Sequence, residues 1–296
     1  MKGGGWSEGR TRGESSRPAF SDIDAWGVTH PGLVRSENQD HFFIGGLAWD
    51  GGIRALSVEE EAAAPVDLER VASLAMVADG VGSLAGGGEA ARLAVRDLVA
   101  AVARSFEAAV IAEERDPEVF SRLLHDAALE CHESLVRKGR EDQGGRRFAT
   151  TLTLFLGLWP HAYLLQVGDS RCYILRGSTL TQISRDQTLA QELVDAGVMS
   201  RTVAEGSRWS NVLSSAVGGE QAVPTVTRIV RDWGNVILLC SDGLTKHVSD
   251  EGIRDRLIAM TDARQVTGDL MQDALDGGGT DNVTVLVGRT LPRAGS

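Results

Sequence analysis

Two apolar runs in this chain end on the same pair of residues, an aspartate followed by a glycine. The run "LAMVADGVGS" reaches Asp79 and Gly80, and the run "ILLCSDGL" reaches Asp242 and Gly243. One such pair at the end of a strand is a common turn signal. Two ends that met in space would instead surround one point with carboxylates and close backbone carbonyls. The pattern leaves two alternatives open, separate turns or a shared site.

Three further aspartates occupy comparable positions. Asp169 closes "HAYLLQVGD", Asp281 precedes "NVTVLVGR", and Asp40 opens "DHFFIGGLAW". Carboxylates that lie close together raise one another's pKa, and a cation relieves their repulsion. Oxygen ligands favour hard divalent ions such as Mg²⁺ or Mn²⁺. If the fold gathers these strand ends, it predicts a site for two ions about 4 Å apart, which can hold a hydroxide for attack on phosphorus.

The elements that must position these residues are mostly strands. Alternating or continuous apolar runs predict strands over 24–32, 40–49, 70–79, 148–158, 161–169, 171–177, 179–184, 225–230, 235–242 and 282–289. Helical spacing predicts helices over 87–110, 117–135, 188–196, 249–260 and 263–275, and 50–69 is expected to be an exposed excursion. Short connections between 148 and 184 favour antiparallel hairpins. The expected fold class is α+β, with packed antiparallel sheets flanked by helices.

Composition narrows the function classes. The chain has 296 residues, 42% of them hydrophobic and 24% charged, which is typical of a globular protein with a sizeable core. The net charge of −11 disfavours a nucleic-acid surface. No apolar run approaches a membrane span, and residues 1–20 are expected to be a disordered tail without a secretory signal. Three unpaired cysteines in apolar patterns (Cys131, Cys172 and Cys240) favour a reducing, cytoplasmic location.

Five segments in this order resemble the metal-dependent type 2C serine/threonine protein phosphatases, and in particular their bacterial branch. They are "VRSENQDHF" (34–42), "VADGVGS" (77–83), "VGDSR" (167–171), "LLCSDGL" (238–244) and "TDNVTVLV" (280–287). The resemblance extends over roughly residues 21–290. It implies an antiparallel β-sandwich between two helical layers (α-β-β-α), with a binuclear metal centre at one end. The catalytic domain would span 21–292, with a flap subdomain at about 186–223.

The resemblance also implies roles for individual residues. Asp79 would contact both ions and the carbonyl of Gly80 would bind one of them. Asp242 and Asp281 would bind the other ion. Asp40 would hold a metal-bound water.

Further roles follow from the same resemblance. Arg35 matches the arginine that clamps the substrate phosphate, and a guanidinium fork suits phosphate oxygens. Asp169 together with Asp242 matches a third metal position of bacterial relatives. Asn282 would orient its neighbour Asp281.

The chain departs from the family pattern at three places. Gln39 stands where family members often have a glutamate, and Val81 stands where many have a histidine that is proposed as a general acid. The stretch "DQT" (186–188) replaces a bacterial D-H-S. None of these changes removes an aspartate ligand, so an active enzyme is expected. The alternative is a catalytically weak or silent phosphoprotein-binding protein of the same fold.

Two neighbouring features bear on the site. His41 adjoins Asp40, but strand alternation points the two side chains to opposite faces. The triplet Gly86–Gly88 opens a helix and is expected to let that helix pass close to the loop after Asp79.

The function implied is hydrolysis of phosphoserine and phosphothreonine in proteins by direct attack of a hydroxide that bridges two ions, Mn²⁺ or Mg²⁺. The expected partners are phosphoproteins, substrates of a serine/threonine kinase and including the kinase itself. Neither nucleic acid nor membrane is expected to bind, and the chain is expected to act as a monomer in the cytoplasm.

Overall fold

The computed structural model describes residues 18, 22–48, 53–55, 70–81, 86–111, 117–142 and 148–291. The strands in this part of the chain are β1 (Ile23–His30), β2 (Asp40–Ala48), β3 (Ile53–Ala55), β4 (Arg70–Asp79), β5 (Leu152–Leu158), β6 (His161–Val167), β7 (Arg171–Arg176), β8 (Thr179–Gln182), β9 (Thr225–Val230), β10 (Val236–Cys240) and β11 (Val283–Thr290). They form one sheet of order β3-β2-β4-β5-β6-β9 and another of order β1-β11-β10-β7-β8. Every strand pair is antiparallel, as the short connections predict.

Helices cover the outer faces of both sheets. The helices in the described part of the chain are α1 (Gly86–Ile111), α2 (Pro117–Glu141), α3 (Leu189–Asp195), α4 (Arg201–Glu205), α5 (Asp242–Thr245), α6 (Asp250–Ile258) and α7 (Ala263–Asp276). Helices α1 and α2 pack on the six-stranded sheet, whereas α6 and α7 pack on the five-stranded sheet. A third cluster, which includes Ile44, Phe155 and Leu239, lies between the sheets. The α-β-β-α architecture is therefore confirmed.

Central strands are apolar on both faces because both faces are covered. In β4, Leu74 and Met76 face the helices and Val77 faces the other sheet. In β10, Leu238 and Leu239 divide in the same way between α6–α7 and the sandwich interior. This explains why these segments appear in the sequence as continuous hydrophobic runs.

Some predicted boundaries were wrong. The strand predicted over 148–158 begins at Leu152. The strand predicted to reach residue 242 stops at Cys240, because a short helix begins at Asp242 with Ser241 as its N-cap residue. Within the predicted excursion at 50–69, Ile53–Ala55 forms β3 and pairs with Gly45–Leu47, while the rest lies outside the described residues. The predicted tail at 1–20 also lies outside them, apart from residue 18.

The segment predicted as a flap contains α3 and α4. Its helix α3 begins after Thr188, whose side chain accepts a hydrogen bond from the backbone N–H of Gln191 and so caps the helix. The role of 186–223 as a flap remains a prediction. In the part of the chain that the structure describes, no helix combines the length and the apolar character needed to cross a membrane.

Candidate metal centre

All five predicted aspartates lie at one end of the sandwich. Asp40 is the first residue of β2 and Asp79 is the last residue of β4, and the two are directly paired in the β2–β4 register. Asp169 follows β6, Asp242 follows β10, and Asp281 precedes β11. Burial raises the pKa of Asp79 well above its ordinary value, and the other four carboxylates raise it further. The sequence prediction that these strand ends converge is borne out by this arrangement.

Two more aspartates from the six-stranded sheet are buried without a cationic partner among the described residues. Burial raises the pKa of Asp169 to about 8, and the charge of Asp242 adds to this effect. Burial also raises the pKa of Asp40 to about 6, although the hydroxyls of Thr284 and Ser241 each donate to its Oδ2 at 2.7 Å and oppose the shift. Asp40 is only 2% exposed. Burial in this half of the cluster therefore favours the protonated form of the carboxyls.

The two aspartates of the five-stranded sheet are paired with cations. Arg35 donates to both oxygens of Asp281, with Nε–Oδ1 at 2.7 Å and Nη2–Oδ2 at 3.0 Å. Lys246 lies between the two carboxylates, with Nζ 2.6 Å from Oδ2 of Asp242 and 2.8 Å from Oδ2 of Asp281. Burial alone would raise the pKa of Asp281, but the hydrogen bonds from Arg35 and Lys246 hold it below its ordinary value. The pKa of Asp242 is raised by burial despite Lys246.

Among the residues that the structure describes, two fully buried carboxylate oxygens have no hydrogen-bond partner. They are Oδ1 of Asp40 and Oδ1 of Asp242. A buried, partnerless oxygen is costly unless a cation or a water satisfies it. A set of carboxylate oxygens with no sulfur or nitrogen ligand suits Mg²⁺ or Mn²⁺. The residues present therefore fit a centre for hard divalent ions.

The described side chains do not yet surround such an ion. Among them, no three His, Cys, Asp or Glu residues are grouped closely enough to hold one metal ion. The five aspartates nevertheless shift one another's pKa, because charge interactions in a buried site act over longer distances than coordination bonds do. The two cations Arg35 and Lys246 instead contact the Asp242–Asp281 side of the cluster.

The loop that carries Asp79 is pressed against the start of α1. A side chain at Gly80 would place its Cβ only 2.4 Å from the carbonyl carbon of Gly87 and 2.9 Å from the backbone oxygen of Gln39. A side chain at Gly87 would lie 2.8 Å from Oε1 of Gln39. A side chain at Gly80 would overlap the backbone of Gly87, so the expectation that the glycine-rich helix start passes close to this loop is confirmed. Coordination by the Gly80 carbonyl remains a prediction.

Comparison with known proteins identifies the family. The sequence model described as protein phosphatase 2C matches residues 55–277, which is most of the chain. The chain belongs to the protein phosphatase 2C family. It is 32% identical over 257 residues to the serine/threonine protein phosphatase PstP of Mycobacterium tuberculosis, a match that covers 86% of this chain and 43% of PstP. It is 30% identical over 215 residues to the protein phosphatase PhpP of Streptococcus pneumoniae, with 72% of this chain and 84% of PhpP covered. The chain thus spans less than half the length of PstP.

Solved structures of this family have the same fold. The catalytic domain of PstP in complex with two manganese ions superposes with a TM-score of 0.69 at 29% identity and covers 91% of this chain and 99% of that domain. A serine/threonine phosphatase of S. agalactiae superposes with a TM-score of 0.75, and at 22% identity this match supports the fold alone. The resemblance to the bacterial branch of the family is therefore confirmed.

Asn282 contacts Asp281 through its backbone N–H and not through its side-chain amide. Its backbone N–H donates to Oδ1 of Asp281 at 3.0 Å, but its side chain does not touch that carboxylate. The amide instead donates to the carbonyls of Pro31 and Glu37, and its oxygen accepts from the backbone N–H of Gln39 at 2.9 Å. Asn282 therefore fixes the loop between β1 and β2, which carries Arg35 and leads into Asp40.

The departure "DQT" has a structural explanation within the protein phosphatase 2C fold. Asp186 accepts hydrogen bonds from the Arg171 guanidinium, the shortest at 2.7 Å. Oε1 of Gln187 accepts from the backbone N–H of Gly168 at 2.7 Å, and its Nε2 donates to the carbonyl of Val223. The segment therefore attaches both ends of the predicted flap to the turn that presents Asp169.

His41 lies on the other face of β2, as strand alternation predicts. Burial lowers its pKa, and the positive charge of Arg92 on α1 lowers it further. Val81 follows the Asp79–Gly80 pair and donates its backbone N–H to the carbonyl of Ala149 at 2.9 Å. Neither residue supplies a proton donor beside the carboxylates.

The sequence analysis missed three residues that contact the cluster. Lys246 is four residues after Asp242, a spacing that brings side chains together on a helix, but the one-turn helix α5 was not predicted. Ser241 and Thr284 both reach Oδ2 of Asp40 from the other sheet. Only the packing of the two sheets brings them there, so no local pattern indicates it.

Proposed function

We propose that this chain is a metal-dependent protein serine/threonine phosphatase that hydrolyses phosphoserine and phosphothreonine directly, without a covalent enzyme intermediate. The observation that carries the proposal is the convergence of five aspartates, drawn from both sheets, with two buried oxygens that have no partner. Membership of the protein phosphatase 2C family supports the same reaction.

In this proposal Asp79, Asp242, Asp281 and the Gly80 carbonyl hold two ions, and Asp169 with Asp242 forms a third position. Mn²⁺ or Mg²⁺ bound by these residues would lower the pKa of a coordinated water, so that it could attack phosphorus at neutral pH, and would neutralise charge on the phosphoryl oxygens. The complex of PstP with two manganese ions supports the choice of Mn²⁺. The Asp79–Gly80 loop is held against α1, so its ligands are positioned before any ion binds.

Arg35 is proposed to bind the substrate phosphate. Its guanidinium is half exposed and already forms a two-point contact with a carboxylate, the geometry that also suits two phosphate oxygens. If Asp281 served as a ligand of an ion, the same fork would be available to the substrate. The amide of Asn282, the residue after Asp281, donates to two carbonyls of the loop that carries Arg35. These bonds therefore hold Arg35 in place relative to the proposed metal centre.

Asp40 is proposed to orient the attacking water. The hydroxyls of Ser241 and Thr284 fix its Oδ2, while its Oδ1 has no partner and is available to accept a hydrogen bond. A carboxylate held in this way can select one orientation of a neighbouring water and so reduce the entropy lost in reaching the transition state.

The proposed partners are phosphoproteins produced by a serine/threonine kinase, with the kinase itself among them, and the proposed location is the cytoplasm. The net charge of −11 supports a monomeric protein without affinity for nucleic acid. The names of the relatives PstP and PhpP support protein substrates.

The decisive test is turnover of p-nitrophenyl phosphate and of a phosphothreonine peptide by the purified chain with Mn²⁺, with Mg²⁺ and with excess chelator. Turnover of both substrates that needs a divalent ion and disappears in Asp79→Asn is expected. A protein that binds the phosphopeptide but releases no phosphate under any metal condition would establish the silent phosphoprotein-binding alternative instead.

A further inference from the structure

Lys246 lies where two carboxylates of the metal centre would otherwise face each other. Its Nζ contacts Oδ2 of Asp242 at 2.6 Å and Oδ2 of Asp281 at 2.8 Å. Its backbone N–H donates to the carbonyl of Asp242 at 2.9 Å, so the end of the one-turn helix α5 fixes the point from which the side chain extends. The side chain is 28% exposed, so the ammonium is partly withdrawn from water.

The carboxylates hold this ammonium firmly in its charged form. Burial alone would lower the pKa of Lys246, but the charge of Asp242 and the hydrogen bonds to Asp242 and Asp281 raise it above its ordinary value. An ammonium is a compact charge with three donors, and in this position it faces the same oxygens that a divalent ion would need. Arg35 also covers Asp281, but it does not contact Asp242.

We propose that Lys246 is an internal counter-ion of the metal centre, which competes with a divalent ion for Asp242 and Asp281 and thereby sets the affinity of that half. The inference rests on the metal-dependent function proposed above. Among the described residues, no lysine or arginine pairs with Asp40, Asp79 or Asp169, so the ion held by Asp242 and Asp281 binds more weakly and later. Lys246 also stabilises the metal-free protein, because it relieves repulsion between the two carboxylates.

The test is titration of the metal-free protein with Mn²⁺ by calorimetry, together with its thermal midpoint in chelator. Lys246→Met removes the charge and keeps most of the side-chain length. It should lower the Kd of the weaker Mn²⁺ site by on the order of tenfold, a typical size for the free-energy coupling between two sites. It should also lower the thermal midpoint of the metal-free protein. Lys246→Arg keeps a cation, so its Mn²⁺ affinity should stay near that of the wild type.

Arg256 offers a matched control, because it too contacts two carboxylates, Asp269 and Asp273, but outside the metal centre. Arg256→Met should leave Mn²⁺ affinity unchanged. If the wild type binds Mn²⁺ and Lys246→Met binds it equally or more weakly, the competition is refuted while the proposed function stands. If neither the wild type nor Lys246→Met binds Mn²⁺ at all, the metal-dependent function itself is refuted.

Discussion

The two sheets bring opposite electrostatic environments to one cluster of carboxylates. From the six-stranded sheet come Asp40, Asp79 and Asp169, whose pKa values are all raised and which pair with no described lysine or arginine. From the five-stranded sheet come Asp242 and Asp281, which contact Lys246 and, for Asp281, Arg35. Burial favours protons on the first three carboxyls, whereas protein cations oppose that effect at the other two.

The difference shows two ways to reduce the repulsion within one buried acidic cluster: raised pKa values and ion pairs with protein cations. It also implies that ion binding has a different cost in each half. If the proposed ions bind, ligands with raised pKa values would release protons, and ligation by Asp242 and Asp281 would also displace Lys246 and the Arg35 fork. Metal affinity should therefore depend on pH through Asp40, Asp79, Asp169 and Asp242, whose pKa values are all raised.

The largest effect is expected at Asp79, which the proposal places on both ions. Asp79→Asn should lower kcat/KM with Mn²⁺ by about 10³-fold or more, which corresponds to about 4 kcal/mol of transition-state stabilisation. The metal-free variant should be at least as resistant to heat as the wild type, because one repelling carboxylate has been removed. Steady-state kinetics and a thermal melt in chelator measure both. Near wild-type turnover in a folded variant would refute the central role of Asp79.

A smaller loss of activity is expected when Asp40 is changed, because Asp40 is proposed to orient the attacking water and not to bind an ion directly. Asp40→Asn should lower Mn²⁺ affinity or turnover by about 10- to 100-fold, the usual range for groups that orient the ligands of a metal. Asp24→Asn is the matched control, since Asp24 lies on β1 and pairs with Arg289 outside the cluster. Calorimetry and kinetics on both variants check this. Equal effects of the two changes would mean that Asp40 has only a general structural role.

The pH dependence of stability should distinguish the two halves. The pKa of Asp169 rises from 3.8 to about 8 on folding, so its carboxyl binds a proton in the folded protein that the unfolded chain has lost. Such a group makes the free energy of unfolding fall as pH rises between these two values. The metal-free protein should melt at a lower temperature at pH 8 than at pH 5. Asp169→Asn should reduce this difference, and saturating Mn²⁺ should raise the midpoint most at pH 8. A midpoint that does not depend on pH in chelator would contradict the assignment.

The smallest effect is expected just outside the cluster. His41 faces α1 and not the carboxylates, so His41→Ala should leave unchanged the slope of log kcat/KM against leaving-group pKa over a series of phosphate esters. Because Val81 cannot donate a proton, that slope should be steep in both proteins. A shallow slope in the wild type that becomes steep in His41→Ala would show that His41 reaches the leaving group after all.

The sequence predicted the aspartates of the site better than their partners. Asp-Gly pairs at strand ends are local signals, and the order of the strands brings them to one edge. The partners of Asp40 could not be predicted, because Ser241 and Thr284 reach it only through the packing of the two sheets. The contact of Lys246 could not be predicted, because the preceding segment "DGLT" (242–245) resembles a turn after a strand. The helical conformation of that segment depends on the tertiary structure.

The division of the ligands between the two sheets has a mechanical consequence. An ion held by Asp79 at the end of β4 together with Asp242, which follows β10, and Asp281, which precedes β11, would join two layers that otherwise meet mainly through side-chain packing. Local opening of either layer would then require the ion to dissociate, so ligand binding would raise the free energy of opening in both. Amide hydrogen exchange should therefore slow in β4 and β11 alike when Mn²⁺ binds, so that the two layers open and close as one unit.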